Sequence, residues 1–551
     1  MAAGNGKRYP YSFHAWVFLR SYTRRCLYKV AKVISAAEAA ALVKDNDTLW
    51  IGGSGGGQAI PQKLIDALEQ RFVEMESPRQ LELLSTVGLG DWENVGVSQL
   101  AKKGFVRRCV AGGLSNSPRL GELALEGELE CYTWSMGIMS QLTREMAAGK
   151  PGLITQTGLH TFIDPRQEGG RQGPKRGPEL VEVMEWAGKE WLYFHGFDID
   201  VAFIRATTAD TKGNLTMEHE PIFAENLSIA QAAHRRGGIV IAQVERMTEA
   251  GTLKGKDVKV PGILVGYVVV EPDAWQSYVL RYDPAYAGEV RVPSAEMPVL
   301  PLDIRKVVAR RAAMELRPNA VVNLGFGMAN GIALVAAEEG IYEDVTLTVE
   351  QGLVGGIPAL GNDAGSARNY DAMIDTPYQF DFYDGGGLDM AFLSFAEVDR
   401  EGNVNVSKFR YGVTGPGGFT NIAQYAKKVF YLGSLTTGKA EMNITGRGIE
   451  VVNEGRVKKF VEQVQQITWS GPFALRRGQP ARFITERAVF DLTPDGLMLI
   501  EVAEGIDIKR DILDQIPFPV IVPRDVAKMD PRLFTPEPMG LKQDPKWGKG
   551  K

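Results

Sequence analysis

The chain has 551 residues, a formal net charge of -5, and 44% hydrophobic and 23% charged residues. This is an ordinary composition for a folded protein of two large or about three smaller domains. The acidic balance argues against a nucleic-acid partner, and no apolar run reaches the roughly 18 residues of a membrane helix.

Residues 1–30 carry six Lys or Arg and no Asp or Glu. They read as a non-catalytic basic extension; as a transit peptide they would direct the chain to the mitochondrial matrix. Otherwise the three cysteines, Cys26, Cys109 and Cys131, lack any paired spacing, which favours a reducing, cytoplasmic setting. The five histidines form no zinc pattern, so chemistry without a metal is expected.

A first α/β domain is expected over 31–285. Thr48–Ile51 reads as a strand, Gly52 to Gly57 as a glycine turn, and Pro61 to Phe72 as a helix with Leu64, Ile65 and Leu68 on one face. Strand, glycine turn and helix is the unit of a mostly parallel sheet. Pro284, Pro293, Pro298 and Pro301 mark a linker over 286–302. A second domain over 303–530 opens the same way. Asp303 caps a helix whose Ile304, Val308, Ala312 and Leu316 share a face, the strand Ala320–Leu324 follows, and Gly325-Phe326-Gly327 leads to a helix over Ala329–Glu339.

Two further echoes make this an internal duplication. Asp210-Thr211-Lys212-Gly213-Asn214 matches Asp399-Arg400-Glu401-Gly402-Asn403, and Ile229-Ala230-Gln231 matches Ile422-Ala423-Gln424. Residues 531–551, rich in Pro, Lys and Gly, read as a surface or disordered tail.

The candidate chemistry sits in the second domain. The β-branched strand Val345–Val349 ends at Glu350, followed by Gln351-Gly352. A carboxylate at the carboxyl end of a parallel strand stands where open α/β sheets bind ligands, and the glycines after it allow close approach. Gly385-Gly386-Gly387 reads as a loop offering backbone N–H groups to one oxygen, with Asp384 and Asp389 as turn residues holding it. A further loop, Gly415-Pro416-Gly417-Gly418, precedes a helix over 421–427.

Asn323 to Gly327, Thr348 to Gly352 and Phe380 to Asp389, with Asp164-Pro165-Arg166 and Gly237 to Glu245, together resemble the family I coenzyme A transferases. The likeness is closest to the single-chain propionate or short-chain acyl-CoA type and covers about Lys29 to Asp530. The resemblance implies two duplicated open α/β domains in a homodimer or homotetramer. It implies CoA and acyl-CoA as substrates with no permanently bound cofactor, and Glu350 as a nucleophile passing through a covalent glutamyl-CoA thioester in ping-pong fashion. Asn323, Gly325, Gly327, Gly386, Gly387, Gly417 and Gly418 would then serve CoA and the oxyanion. Met136, Gly137, Gly361 and Asn362 would line the acyl pocket. One departure is Met136, in Ser135-Met136-Gly137-Ile138, where the family usually carries a glutamine before the glycine; methionine is no amide donor. The loop Gly361 to Ser366 is more polar than the family's.

Three rivals remain at this stage. A thioesterase on the same scaffold would let water reach the intermediate, and an inactive CoA-binding protein is the non-enzymatic reading. A serine hydrolase would use Ser54 in Gly52-Gly53-Ser54-Gly55-Gly56, which fits the nucleophile-elbow pattern. His195 and His234 are read as structural or surface groups. A dinucleotide site is excluded because Gln58 and Asn330 stand where the third glycine belongs.

Overall fold

The computed structural model describes residues 30–293, 297–409, 412–545 and 547. The basic extension, apart from Val30, lies outside them.

The first half is a predominantly parallel sheet. Its central strands are β1 (Thr48–Ile51), β2 (Leu81–Ser85), β3 (Val106–Ala111), β4 (Glu130–Thr133), β5 (Val201–Asp210), β6 (Ile239–Thr248) and β7 (Tyr267–Val270), in the order β7-β6-β5-β1-β2-β3-β4. All four residues of β1 and all ten of β5 are buried, as expected when helices cover both faces of a parallel sheet. Helix α1 (Gln62–Met75) packs Leu64, Ile65, Leu68 and Phe72 inward. Helices α2 (Met136–Ala147) and α3 (Asn226–Arg235) follow β4 and β5.

The second half begins with α4 (Ile304–Ala313), whose N-cap Asp303 accepts the backbone N–H of Lys306, and continues as β8 (Val321–Leu324), α5 (Gly331–Glu338), β9 (Thr346–Val349), α6 (Thr376–Asp384), β10 (Met390–Ser394), α7 (Phe419–Tyr425) and β11 (Lys428–Leu432). The sheet runs β9-β8-β10-β11 in parallel, then extends through β12 (Ala481–Ile484), β13 (Ala488–Thr493) and β14 (Gly496–Val502). The two joints within this extension, β12 to β13 and β13 to β14, are antiparallel.

The duplication is visible in register. Thr48 pairs with Glu82 and Gly52 N–H donates to the Phe203 carbonyl; in the second half Val321 pairs with Thr346 and Gly325 N–H donates to the Phe392 carbonyl. The repeated Asp-to-Asn turn is built alike in both. Asp210 accepts the N–H of Lys212 and Asn214, and Asp399 those of Glu401 and Asn403. Each Asn then accepts a glycine N–H, Gly262 at 2.9 Å or Gly471 at 3.0 Å. A Cβ on either glycine would fall 2.2 Å from a backbone oxygen, so only glycine fits.

The tail corrects the sequence reading. Leu533, Phe534, Met539 and Leu541 are buried, and Glu339 accepts the N–H of Met539 at 2.6 Å and of Leu541 at 2.8 Å. Its composition is that of a tail, but its few apolar residues are spaced to fill the face of α4 and α5. The linker is also tied down: Val292 and Asn369 exchange two hydrogen bonds.

Candidate active site between the two halves

Helices α2 and α6 carry much of the contact between the halves. Arg144 pairs with Asp381, and Gln141 Nε2 donates to Asp384 at 3.0 Å. Beside this contact, strand ends from both sheets converge on a cleft of about 400 Å³. Leu324 to Phe326 follow β8, Val349 to Gln351 end β9, and Leu393 and Ser394 end β10. Across from them stand Ser54 and Gly55 after β1, Val87 after β2, Ser115 and Asn116 after β3, and Met136 after β4. The cleft therefore lies at the carboxyl ends of both sheets, where the topology of open α/β folds puts ligands.

Glu350 is the first residue beyond β9 and lines this cleft with partial solvent access. Burial of its surroundings raises its carboxyl above the ordinary range; hydrogen bonding from its own backbone N–H and from Asn323 pulls the other way. Asn323, the third residue of β8, is fully buried. Its Nδ2 donates to the Thr348 carbonyl and to Tyr383 Oη, both at 3.3 Å. Tyr383 Oη also accepts from Gln379 Nε2 at 2.9 Å and donates to Thr348 Oγ1 at 2.9 Å. The hydroxyl is thus fully committed, and it holds the Asn323 amide beneath the strand end.

The Gly415-Pro416-Gly417-Gly418 loop spans the two halves. Gly417 N–H donates to the Gly112 carbonyl at 2.8 Å. The Gly417 carbonyl accepts the Met136 N–H at 2.7 Å and Ser135 Oγ at 3.0 Å. Gly417 has φ +56°, a left-handed geometry that favours glycine. A Cβ on Gly418 would come within 3.3 Å of Glu350 Cγ, so the missing side chain leaves the backbone open beside the carboxylate.

Of the other expected residues, Gly325 and Met136 line the cleft, and Met136 offers an apolar wall while its N–H is spent on Gly417. Gly327 turns at φ +96° toward Ser394 behind the lining. Gly137 is buried in α2 against Asn421, where a Cβ would meet the amide at 2.4 Å.

Four assignments need correction. Gly386 and Gly387 form no oxyanion loop: residues 376–384 are helical, and the N–H groups of Gly385, Gly386 and Gly387 cap the α6 carbonyls of Asp381, Tyr383 and Phe382. Asp384 and Asp389 hold no glycine turn. Asp384 accepts from Asn421 and Gln141, and Asp389 from Val321 N–H and Lys427. Gly361 and Asn362 are exposed outside the cleft, with Ala364 and Gly365 lining it instead; the Asn362 carbonyl accepts from Gln58. Ser54 has the Gln351 amide as partner at 3.3 Å, and no described histidine lines the cleft, so the hydrolase elbow lacks its base.

Sequence reasoning missed Trp92, Ser115, Asn116, Phe326, Gln351 and Phe419 as cleft residues, and Tyr383 as the anchor of Asn323. Gly112-Gly113 just beyond β3 was the available signal for the 115–116 loop.

A two-half α/β protein with an acid at a strand end inside an inter-half cleft is the architecture of an acyl-transfer enzyme. The Coenzyme A transferase family matches residues 33–271. Acetate CoA-transferase YdiF of Escherichia coli is 44% identical over 513 residues, 92% of this chain and 96% of the relative. Caffeate CoA-transferase of Acetobacterium woodii is 43% identical over 520 residues, 93% of this chain and 99% of the relative. The crystal structure of YdiF apoenzyme from Escherichia coli O157:H7 superimposes with a TM-score of 0.89 at 43% identity, covering 93% of this chain and 98% of that one. The chain belongs to the coenzyme A transferase family.

Proposed function

We propose that this transferase moves CoA between small uncharged acyl groups and free monocarboxylates through a glutamyl-CoA thioester on Glu350. The observation that carries the reading is the placement of that carboxylate: at a strand end, facing an apolar inter-half cleft, with the open backbone of Gly418 against it. A structure of YdiF is described as a thioester complex with CoA (TM-score 0.88), which supports the covalent route here.

One Glu350 carboxylate oxygen attacks the thioester carbonyl carbon, the C–S bond breaks, and CoA leaves as thiolate. The thiolate sulfur then attacks the glutamyl carbonyl of the mixed anhydride and expels the first acid as carboxylate. An incoming carboxylate reverses both steps. The thioester energy is kept throughout, so no ATP is spent. Each addition creates an oxyanion, and a preplaced donor for it contributes on the order of 3 kcal/mol. Asn323 sets the Glu350 carboxylate from below. Val87, Met136, Phe419 and Ile422 exclude water, which would otherwise hydrolyse the anhydride. Among the described residues no Lys, Arg or His lines the cleft, so against these walls a second carboxylate on the substrate would be buried unpaired, a costly arrangement.

The test is acyl-CoA without acceptor, borohydride reduction and peptide mass spectrometry. Reduction should convert the residue-350 side chain to its alcohol, and Glu350→Gln should lose both the label and turnover. An unlabelled peptide with surviving activity in the variant overturns the mechanism. Dicarboxylate acceptors should turn over at least a hundredfold more slowly than monocarboxylates of equal length.

A further inference from the structure

Two neighbouring residues at the end of α6 reach the two elements that flank Glu350. Tyr383 holds the Asn323 amide below the strand end. Asp384 reaches α7 beside it. Asn421 Nδ2 donates to both Asp384 carboxyl oxygens, at 2.8 and 2.9 Å, and Gln141 Nε2 donates to one of them at 3.0 Å. Thr157 Oγ1 donates to that same oxygen at 3.4 Å. Asn421 is fully buried in α7. Its amide packs on Gly137 of α2, where a Cβ would fall 2.4 Å away. One carboxyl group therefore joins α6 and α7 to α2 and Thr157 of the first half.

Helix α7 also carries part of the cleft. Gly418, its N-cap, stands against Glu350, and Phe419 and Ile422 line the wall. Its last turn is tied to the first half through Gln424, which accepts the Gly158 N–H at 2.9 Å and donates to the Gln156 carbonyl at 2.7 Å. Asp384 ties the first turn. We infer that Asp384 is a positioning residue for CoA transfer: through Asn421 it fixes α7, and with it the Gly418 backbone, against the Glu350 carboxylate. This rests on the reading of Glu350 as nucleophile. Asp384 does not line the cleft, so its effect on the reaction runs through α7. Asn421 and Gln141 both present N–H groups to it. An amide in its place could accept from one and would turn its own N–H2 toward the other. A displacement of about 1 Å so close to the reacting carboxylate costs on the order of a hundredfold in rate.

The experiment is an exchange across the contact. Asp384→Asn should slow single-turnover thioester formation about tenfold or more, with KM for acyl-CoA within about threefold of the parent value. Adding Asn421→Asp puts the carboxyl on α7 and the amide on α6. The pair is restored with its polarity reversed, while the amide oxygen still accepts from Gln141. The double exchange should bring the rate back to within about threefold of the parent. No loss in Asp384→Asn, or a loss that the double exchange does not recover, overturns the inference. Where Asp384→Asn does not fold, the double exchange decides alone: a parent-like rate upholds the inference, and a slower or unfolded protein overturns it. Borohydride labelling of residue 350 at saturating acetyl-CoA is read in parallel. A label that reaches the parent level in Asp384→Asn, only more slowly, shows that the nucleophile is intact. A parent chain without the label removes the Glu350 reading and the inference with it, whereas a labelled parent with no recovery in the exchange removes the inference alone.

Discussion

Asn323 stands between the Tyr383, Gln379 and Thr348 network below and the Glu350 carboxylate above. Removing the Tyr383 hydroxyl frees its amide, so Tyr383→Phe should lower kcat by about tenfold to a hundredfold, or ~1.4–2.8 kcal/mol of barrier, with little change in KM for acyl-CoA. Steady-state kinetics reads this directly. The pH dependence follows from Glu350. Its carboxyl is raised by burial; under the proposed mechanism the attacking species is the carboxylate, so thioester formation should weaken as pH falls through that raised value. Asn323→Leu deletes a donor that favours the charge and should move the acid limb to still higher pH in single-turnover measurements. Glu350 was legible in the sequence because a β-branched strand ran straight into an acid followed by glycine. Tyr383 was not. Its importance depends on α6 sliding its ring under β9, and only the folded chain brings residues 323, 348, 379 and 383 together.

Among the elements, α6 differs most from its reading. The glycine run 385–387 masked a helix that Asp375 and Pro377 announce, an acid at the N-cap and a proline in the first turn. A run of glycines after a helix closes it; the same letters after a strand would have made the expected loop. The helix ends on Asp384, pushed up to about 7 by burial, against the pull of Asn421, Gln141 and Thr157. A carboxyl whose folded value lies above its unfolded one near 3.8 favours the fold when protonated. That contribution is full below about pH 4 and is lost as pH rises through 7. Thermal melts of the parent protein should therefore lose stability between pH 5 and 8, and Asp384→Asn should flatten that slope. A parent curve that rises over this interval would refute the assignment.

At the level of the whole molecule, the paired registers say what became of the other candidate site. Counting four residues on from Glu82 and from Thr346 gives Thr86 and Glu350 as counterparts. Counting four back from Ile229 and from Ile422 pairs Glu225 with Gly418. The first half thus has threonine where the second has the proposed nucleophile, Glu350. Where the second leaves room with a glycine, the first inserts a buried carboxyl, pushed up to about 8 by burial and, further, by Asp375. Intact-mass spectrometry at saturating acyl-CoA should find one CoA adduct per chain, and Thr86→Glu should add no second one. The repeat itself was readable from three ordered echoes. The loss of one site was not, because it rests on which residues face each other across strands far apart in the chain.

The cleft draws its carboxylate from one sheet, while much of the opposite wall, from Ser54 and Val87 to Asn116 and Met136, comes from the other. The proposed nucleophile and much of the wall that faces it are therefore encoded in separate stretches of the gene. Grafting the first-half wall of a relative with a different acid preference onto this second half should transplant the preference and leave the engine running at its own pace.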